Sequence, residues 1–231
     1  MTFRLVTSSF THQGKREYQE DSLDMDTSLN IFTVCDGLGG HSNGALASAF
    51  IAQNFKFWVS DAQAKYHVAH PEYSAAAKGG LTTLVSIQIF DDGTPVGFYS
   101  GDSHLMHFRR DESGKLTLLQ AAPVEGNMRG EVFNCLDSSS HARSFGRIKM
   151  LEMQKIEVGD VFLLASDGLD TLFPDYIYSV NSRKWTGEPL FERFLDLLSE
   201  IEPGSSIDSL IMPATTVQYA DNCTAIVIWV A

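Results

Sequence analysis

IFTVCDGLGGH, the sequence of residues 31–41, joins a five-residue, mostly apolar run to an Asp-Gly pair. Such a run is typical of a buried strand, and a strand that ends at Asp36 places its carboxylate at the rim of a sheet. Gly37 then lets the backbone turn sharply and approach a ligand. Residues 161–168, VFLLASDG, repeat this arrangement with Asp167. A single Asp-Gly is most often a surface turn, so the repetition is what points to a site.

Two further acidic pairs are Glu20-Asp21 and Asp221-Asn222, the second directly before an apolar strand. If the acidic segments converge, their repulsion requires protons or cations. Carboxylate and carbonyl oxygens suit Mg²⁺ or Mn²⁺, whereas no His/Cys set has zinc spacing. Two such ions about 3.5–4 Å apart can activate a water for attack at phosphorus. The planar fork of Arg16 could bind two phosphate oxygens, so the pattern predicts phosphomonoester hydrolysis.

Short strand-like segments outnumber helical ones along the chain. Helices are predicted after Asn43 and behind Pro189, where apolar residues recur at helical spacing. The weak periodicity of residues 120–148 indicates a loop or a small excursion over the surface. Because strands and helices do not alternate regularly, the pattern favours an α+β layered domain over a doubly wound parallel sheet. Strands are predicted at residues 29–35, 81–90, 96–100, 105–110, 116–120, 161–165 and 223–230.

Composition and charge exclude several classes of protein. The 231 residues include 17 basic and 29 acidic side chains, a net charge of −12, which disfavours nucleic acid and acidic membranes as partners. No apolar run approaches the roughly 18–20 residues of a membrane span, and residues 1–10 lack the pattern of a secretory signal. Cysteines outside any CxxC spacing fit reduced thiols, so we expect a cytoplasmic protein. We expect residues 1–231 to form one catalytic domain that acts as a monomer.

Six short motifs follow one another along the chain. Residues 14–21 (GKREYQED) are similar to G-x-R-x-x-N-E-D, and residues 34–41 (VCDGLGGH) to V-x-D-G-M-G-G-H. Residues 81–83 (LTT) stand where G-T-T usually opens a strand. The last three motifs, similar to G-D-S-R, C-S-D-G-L and D-N-x-T, are residues 100–103 (SGDS), 165–169 (ASDGL) and 221–224 (DNCT). In this order they resemble the motifs of the metal-dependent protein phosphatases of the 2C type, the PPM family.

The resemblance implies an α-β-β-α sandwich, in which two antiparallel sheets are flanked by helices and a two-metal centre lies at one edge. It further implies that Asp36 bridges two Mg²⁺ or Mn²⁺ ions. Asp167 and Asp221 would complete the ligands of one ion. Glu20 and the carbonyl of Gly37 would complete those of the other.

The resemblance also assigns supporting roles. Asp21 would be a supporting ligand, Arg16 would bind the phosphate, and Asp102 would help to hold a third, more weakly bound ion. Animal members carry a His directly after the Asp-Gly pair as a proposed general acid. This chain has Leu38, as many bacterial members have Met, so water or a metal-bound water would protonate the leaving group. Leu38 and the compact length lead us to expect a bacterial source.

Three further departures from the family pattern concern two motif positions and one longer stretch. Gln19 replaces an Asn and His104 an Arg, and we expect neither to touch the ligands. After residues 116–117, where the family has an Asp-His-Ser stretch and a flap over the site, this chain has LLQ at residues 118–120 and an unfamiliar stretch at residues 121–141. The leading interpretation is a Ser/Thr phosphoprotein phosphatase in signalling, acting on a kinase target without a covalent intermediate. The alternatives are a catalytically silent regulatory or binding module and a phosphatase of small phosphorylated metabolites.

Overall fold

The computed structural model describes residues 3–39, 43–60, 80–126, 132, 134–137, 148–173 and 189–231. Its helices there are α1 (Gly44–Ser60), α2 (Pro189–Glu200) and α3 (Asp208–Ile211), with 3₁₀ turns at Asp167–Leu172 and Met212–Thr216. Its strands are β1 (Leu5–His12), β2 (Ser22–Asp26), β3 (Ile31–Cys35), β4 (Leu81–Thr82), β5 (Leu84–Ile89), β6 (Pro95–Ser100), β7 (His104–Arg110), β8 (Leu116–Ala121), β9 (Leu136–Asp137), β10 (Lys149–Glu152), β11 (Val161–Ala165) and β12 (Cys223–Val230).

Two five-stranded antiparallel sheets form the centre of the molecule. The first has the strand order β1-β12-β11-β7-β8 and the second β10-β6-β5-β3-β2, while β4 and β9 form a separate pair. Successive side chains of a strand face opposite sides of its sheet. On β11, Phe162 and Leu164 join Phe32 and Val34 of β3 in the apolar layer between the sheets. Leu163 faces the other side, where it packs under α2.

Helices cover the outer face of each sheet. Ile51 and Phe55 of α1 pack with Cys35 and Leu84 of the second sheet. The predicted α-β-β-α sandwich is therefore confirmed. Within the described ranges, no helix is both long and apolar enough to cross a membrane. On the first sheet, α2 buries an apolar face of residues three or four positions apart: Phe191, Phe194, Leu195 and Leu198.

The structure differs from the sequence-based expectation at several strands. The predicted strand at 81–90 is interrupted at Thr83, because Thr83 N donates to Asp36 O (2.8 Å) and its side chain accepts from Asp36 N (3.0 Å). The strand predicted from residue 29 begins at Ile31. Within residues 120–148, read as a loop, β8 continues to Ala121 and the short β9 forms. Residues 127–131, 133 and 138–147 of this loop lie outside the described residues.

Candidate active site

A cavity of about 350 Å³ opens at one end of the sandwich. The residues that line it lie in turns and loops next to the strands rather than in the strands themselves. All but one of the residues that the sequence assigned to the site line it: Arg16, Glu20, Asp36, Gly37, Asp102, Asp167 and Asp221. The exception, Asp21, lies directly behind this wall.

Strand register brings these distant residues to the same end of the molecule. In the first sheet Ala165, at the end of β11, faces Ala225 of β12 and His104 of β7. Asp167 follows β11, whereas Asp221 precedes β12, so antiparallel pairing places both carboxylates at one edge. The turn before β7, which carries Asp102, reaches that edge for the same reason. In the second sheet β3 ends at this edge, directly before Asp36.

The two Asp-Gly glycines are required by crowding of the backbone. A Cβ at Gly37 would lie 2.5 Å from Gly44 O and 2.6 Å from Glu20 O. A Cβ at Gly168 would lie 2.0 Å from Asn222 O. Gly37 N also donates to Glu20 O (3.1 Å), so close approach ties the Asp36 turn to the segment that carries Glu20.

The carboxylates of the cavity repel one another and are partly desolvated. Asp36 and Asp167 keep some surface open to the cavity, yet burial raises the pKa of both well above the usual value. Mutual repulsion adds to this effect, chiefly from Asp167 on Asp36 and from Asp102 on Asp167. Burial also raises the pKa of Asp102 to about 6. The cavity therefore favours protons or cations over bare carboxylates.

Arg16, predicted to bind phosphate, pairs in the structure with a predicted metal ligand. Its guanidinium group donates a hydrogen bond to the Asp221 carboxylate. This bond, together with the negative charge of Asp221, outweighs burial and raises the pKa of Arg16. The Arg16 side chain is 55% exposed at the mouth of the cavity. The guanidinium group is therefore accessible from solvent at the mouth of the cavity.

Asp21 is a buried carboxylate held by the first sheet. Its Oδ2 accepts from Ser166 Oγ (2.7 Å), and Ser166 Oγ accepts in turn from Thr224 N (3.0 Å). Its other oxygen, Oδ1, is buried and has no hydrogen-bond partner among the described residues. Burial raises the pKa of Asp21 to about 6. Gln19 Oε1 accepts from Asp21 N (3.1 Å), so the expectation that Gln19 stays clear of the ligands was wrong.

Solved structures with the same fold exist, although no protein-family model and no curated protein matches the sequence. PppA, described as a key regulatory component of T6SS in Pseudomonas aeruginosa, is 22% identical with a TM-score of 0.71, covering 100% of this chain and 99% of that one. The catalytic domain of the Ser/Thr phosphatase PstP, in complex with two manganese ions, is 21% identical with a TM-score of 0.69 and complete coverage of both chains. The PPM Ser-Thr phosphatase MsPP from Mycobacterium smegmatis is 19% identical with a TM-score of 0.67, covering 96% of this chain and 97% of that one.

This is the fold of the PPM phosphatases. In the PPM fold of this chain, the donor set of the cavity fits hard divalent cations, because every candidate ligand is a carboxylate or carbonyl oxygen. The Oδ1 atom of Asp21, buried and without a hydrogen-bond partner in the described part of the chain, adds an oxygen that a nearby cation would stabilise. Among the described residues, no group of three His, Cys, Asp or Glu side chains is arranged to hold an ion as it stands. The oxygen ligands and the negative charge of the cavity therefore fit Mg²⁺ or Mn²⁺. Binding of an ion would require these side chains to rotate toward a common point.

Sequence reasoning quoted Asn222 and Thr83 within motifs but gave neither a role. Asn222 Nδ2 donates to the carbonyls of Gln13 (2.8 Å) and Tyr18 (2.9 Å), and its Oδ1 accepts from Glu20 N (2.8 Å). It thereby holds the loop that carries Arg16 and Glu20 against the start of β12. The D-N-x-T motif was the signal that could have found it.

The expected departures at Leu38 and His104 have clear structural positions. Leu38 lines the cavity and offers no proton there. His104 Nε2 contacts Asp170 Oδ1 (2.5 Å), on the same 3₁₀ turn as Asp167. Gly40 and His41 of the second motif lie outside the described residues.

Proposed function

We propose that this chain is a metal-dependent Ser/Thr phosphoprotein phosphatase that uses two Mg²⁺ or Mn²⁺ ions and binds a third more weakly. The observation that carries the proposal is the convergence of carboxylates from five separate segments on one cavity, with an arginine at its mouth. These carboxylates belong to Glu20, Asp36, Asp102, Asp167 and Asp221.

The residues present would divide the work as follows. Asp36 would be shared by two ions, with Asp167 and Asp221 on one side and Glu20 and the Gly37 carbonyl on the other. Asp21 would support this set from behind, and Asp102 would hold the third ion. Bound ions would offset the repulsion between the carboxylates and make a water acidic enough to attack phosphorus.

The substrate side of the reaction falls to Arg16. Its fork can hold two phosphate oxygens, which orients the phosphate toward the carboxylate cluster. Leu38 cannot protonate the departing alcohol, so solvent does. We propose that the substrate is a protein phosphorylated on Ser or Thr by a kinase in the cytoplasm, and that the chain works as a single-domain monomer.

Two other functions use the same cavity. The regulatory description of PppA makes a catalytically silent regulatory module the second candidate. A silent protein would gain nothing from carboxylates such as Asp36 and Asp167, whose burial destabilises the fold unless cations balance them. A phosphatase of small phosphorylated metabolites is the third candidate and differs only in substrate.

The test is metal-dependent hydrolysis of an aryl phosphate by the purified chain, with Mn²⁺ and with chelator. Changing Asp36→Asn or Asp167→Asn keeps side-chain volume but removes a charged ligand. We expect hydrolytic activity to fall more than about 100-fold. Substitution of residues that only hydrogen-bond to metal ligands already lowers metal affinity or activity about 10- to 100-fold. Asp208→Asn, on an exposed turn of α3, is the matched control and should retain full activity.

Comparing a phosphoserine peptide with small phosphorylated metabolites then separates the two enzyme candidates. Preference for the peptide supports the phosphoprotein phosphatase. Preference for a metabolite assigns the chain to the third candidate. Full activity in both Asp→Asn variants, or activity indifferent to chelator, would reject metal-dependent catalysis at this site.

A further inference from the structure

Residues 122–126, directly after β8, return toward the cavity and contact residues that line it. Ala122 N donates to Leu105 O (2.8 Å), which fixes the start of this segment on β7. Gly126 pairs with Val132 through an isolated β-bridge, and Val132 lines the cavity. This segment lies where sequence reasoning found an unfamiliar stretch and no functional residue.

Glu125 clasps the turn that carries Asp102. Its backbone N donates to Gly101 O (2.9 Å), while its side-chain Oε2 accepts from Gly101 N (3.2 Å). Gly101 has a φ of +104°, and a Cβ there would lie 2.7 Å from Thr83 Cγ2. Position 101 must therefore be glycine and has no side chain to anchor the turn, so the anchor comes from Glu125.

The Glu125 carboxylate is itself held in place. Asn134 Nδ2 donates to Oε2 (2.9 Å), and Lys149 Nζ forms an ion pair with Oε1. The side chain is 13% exposed. Although burial opposes ionisation, these partners and Gly101 lower the pKa of Glu125, so the carboxylate is charged when it binds the Gly101 amide.

The segment that carries Glu125 also contacts Asp102 directly, at Gly126. A Cβ at Gly126 would lie 2.9 Å from Asp102 Cβ and 3.0 Å from its Oδ2. Asp102 is therefore held between the backbone of residue 126 on one side and the clasped Gly101 on the other. Glu125 is therefore hydrogen-bonded to one neighbour of Asp102 and adjacent in sequence to the other.

We infer that Glu125 is a positioning residue, which sets the place of the Asp102 carboxylate and thereby the affinity of the weakest ion site. The inference rests on the proposed function. Asn134 and Lys149 both contact the Glu125 carboxylate, so they help to hold it in this place.

The experiment counts Mn²⁺ bound to the full chain by equilibrium dialysis, alongside hydrolysis of an aryl phosphate. Glu125→Ala should weaken the weakest Mn²⁺ site about 10-fold and leave the tighter sites unchanged. Glu125→Gln, which keeps an acceptor for Gly101 and Asn134, should recover most of the affinity. Glu192→Ala removes an ion pair with Lys115 on a distant surface and is the matched control.

A combination with Asp102→Asn shows whether Glu125 acts through Asp102. In that background Glu125→Ala should change Mn²⁺ binding no further, because the carboxylate it positions is gone. An additive loss, or a lower melting temperature with an unchanged binding isotherm, overturns the inference. If Glu125→Ala does not fold, Lys149→Ala, which removes the ion pair with the Glu125 carboxylate, should weaken the same Mn²⁺ site, and an unchanged isotherm there also overturns the inference.

The Mn²⁺-binding isotherm of the wild-type chain distinguishes a failure of the Glu125 inference from a failure of the proposed function. A wild-type chain that binds no Mn²⁺ overturns the proposed function and this inference together. A wild type with metal-dependent activity, whose weakest site is indifferent to both Glu125 variants, overturns the inference alone.

Discussion

Arg16 is the residue whose two possible partners, Asp221 and a substrate phosphate, compete for the same guanidinium group. Its exposed position and its bond to Asp221 show that it is charged and aimed across the mouth of the cavity. A charged hydrogen bond contributes about 1.5–3 kcal/mol. The contribution of Arg16 to substrate binding should therefore be measurable in isolation.

We predict that Arg16→Ala raises KM for an aryl phosphate about 10- to 100-fold and lowers kcat less, because the lost bonds hold phosphate before the transition state. Arg16→Lys should recover part of the effect, since an ammonium group supplies charge without the fork. Steady-state kinetics measure both. Lys15→Ala removes a neighbouring exposed charge and should leave KM unchanged. An unchanged KM in Arg16→Ala would remove the phosphate-binding role.

At the residue scale, site residues could be predicted from the sequence where neighbouring residues indicate both the strand end and the carboxylate. Asp36 and Asp167 each follow an apolar run and precede a glycine, so their position at a sheet edge was readable. Thr83 and Glu125 were not readable as site residues, because a threonine or glutamate gains its role only from a partner distant in sequence. Ser166 and Asp21, 145 positions apart, show the same limit.

Strands β7 and β11 are joined, away from the cavity, by a buried ionic cluster. Asp160, 1% exposed and directly before β11, accepts hydrogen bonds from Arg109 Nε (2.8 Å) and Arg109 Nη2 (2.8 Å). It also accepts from His107 Nε2 (2.9 Å), so both partners lie on β7. Burial alone would raise the pKa of Asp160, but these bonds lower it to about 2.

This cluster predicts a defined loss of stability in acid. Because the pKa of Asp160 is lower in the folded protein than in the unfolded chain, its contribution is present above about pH 4 and is lost between about pH 4 and 2. The contribution is about 2 kcal/mol. Asp160→Asn should remove it and flatten that part of the stability curve, measured by denaturant unfolding at several pH values. Asp208→Asn, the control, should leave the dependence of the unfolding free energy on pH unchanged. The prediction is contradicted if the unfolding free energy falls equally steeply between about pH 4 and 2 in both variants.

Element-scale prediction failed mainly at sheet edges. The strands that sequence reasoning did not single out include β1, β2 and β10, and each is an edge strand of its sheet. Edge strands are half-exposed and mix polar with apolar residues, as β1 does with LVTSSFTH. The central strands β3, β11 and β12 are buried on both faces, so their continuous apolar runs were recognisable.

For the whole molecule, the acidic cavity couples cation binding to folding. Ions that bind only the folded state stabilise it by about 2.7 kcal/mol at 100 times the dissociation constant. For a chain of this size, each kcal/mol raises the melting temperature by about 2–4 °C.

We therefore predict that saturating Mn²⁺ raises the melting temperature by about 5–10 °C over the chelator-treated protein. Differential scanning calorimetry with added Mn²⁺ or EDTA measures the shift. Asp36→Asn should reduce the shift because it removes the proposed shared ligand, whereas Asp208→Asn should retain it. A shift of the same size in Asp36→Asn would place the stabilising ions elsewhere.

Asn222 fastens the segment with Arg16 and Glu20 to the start of β12, and β1 pairs with β12 along its length. Two parts of the cavity wall thus come from segments some two hundred positions apart in the chain. During synthesis on a ribosome, residues 16 and 20 emerge long before their counterparts. A nascent chain should therefore lack a complete cavity until β12 has left the exit tunnel.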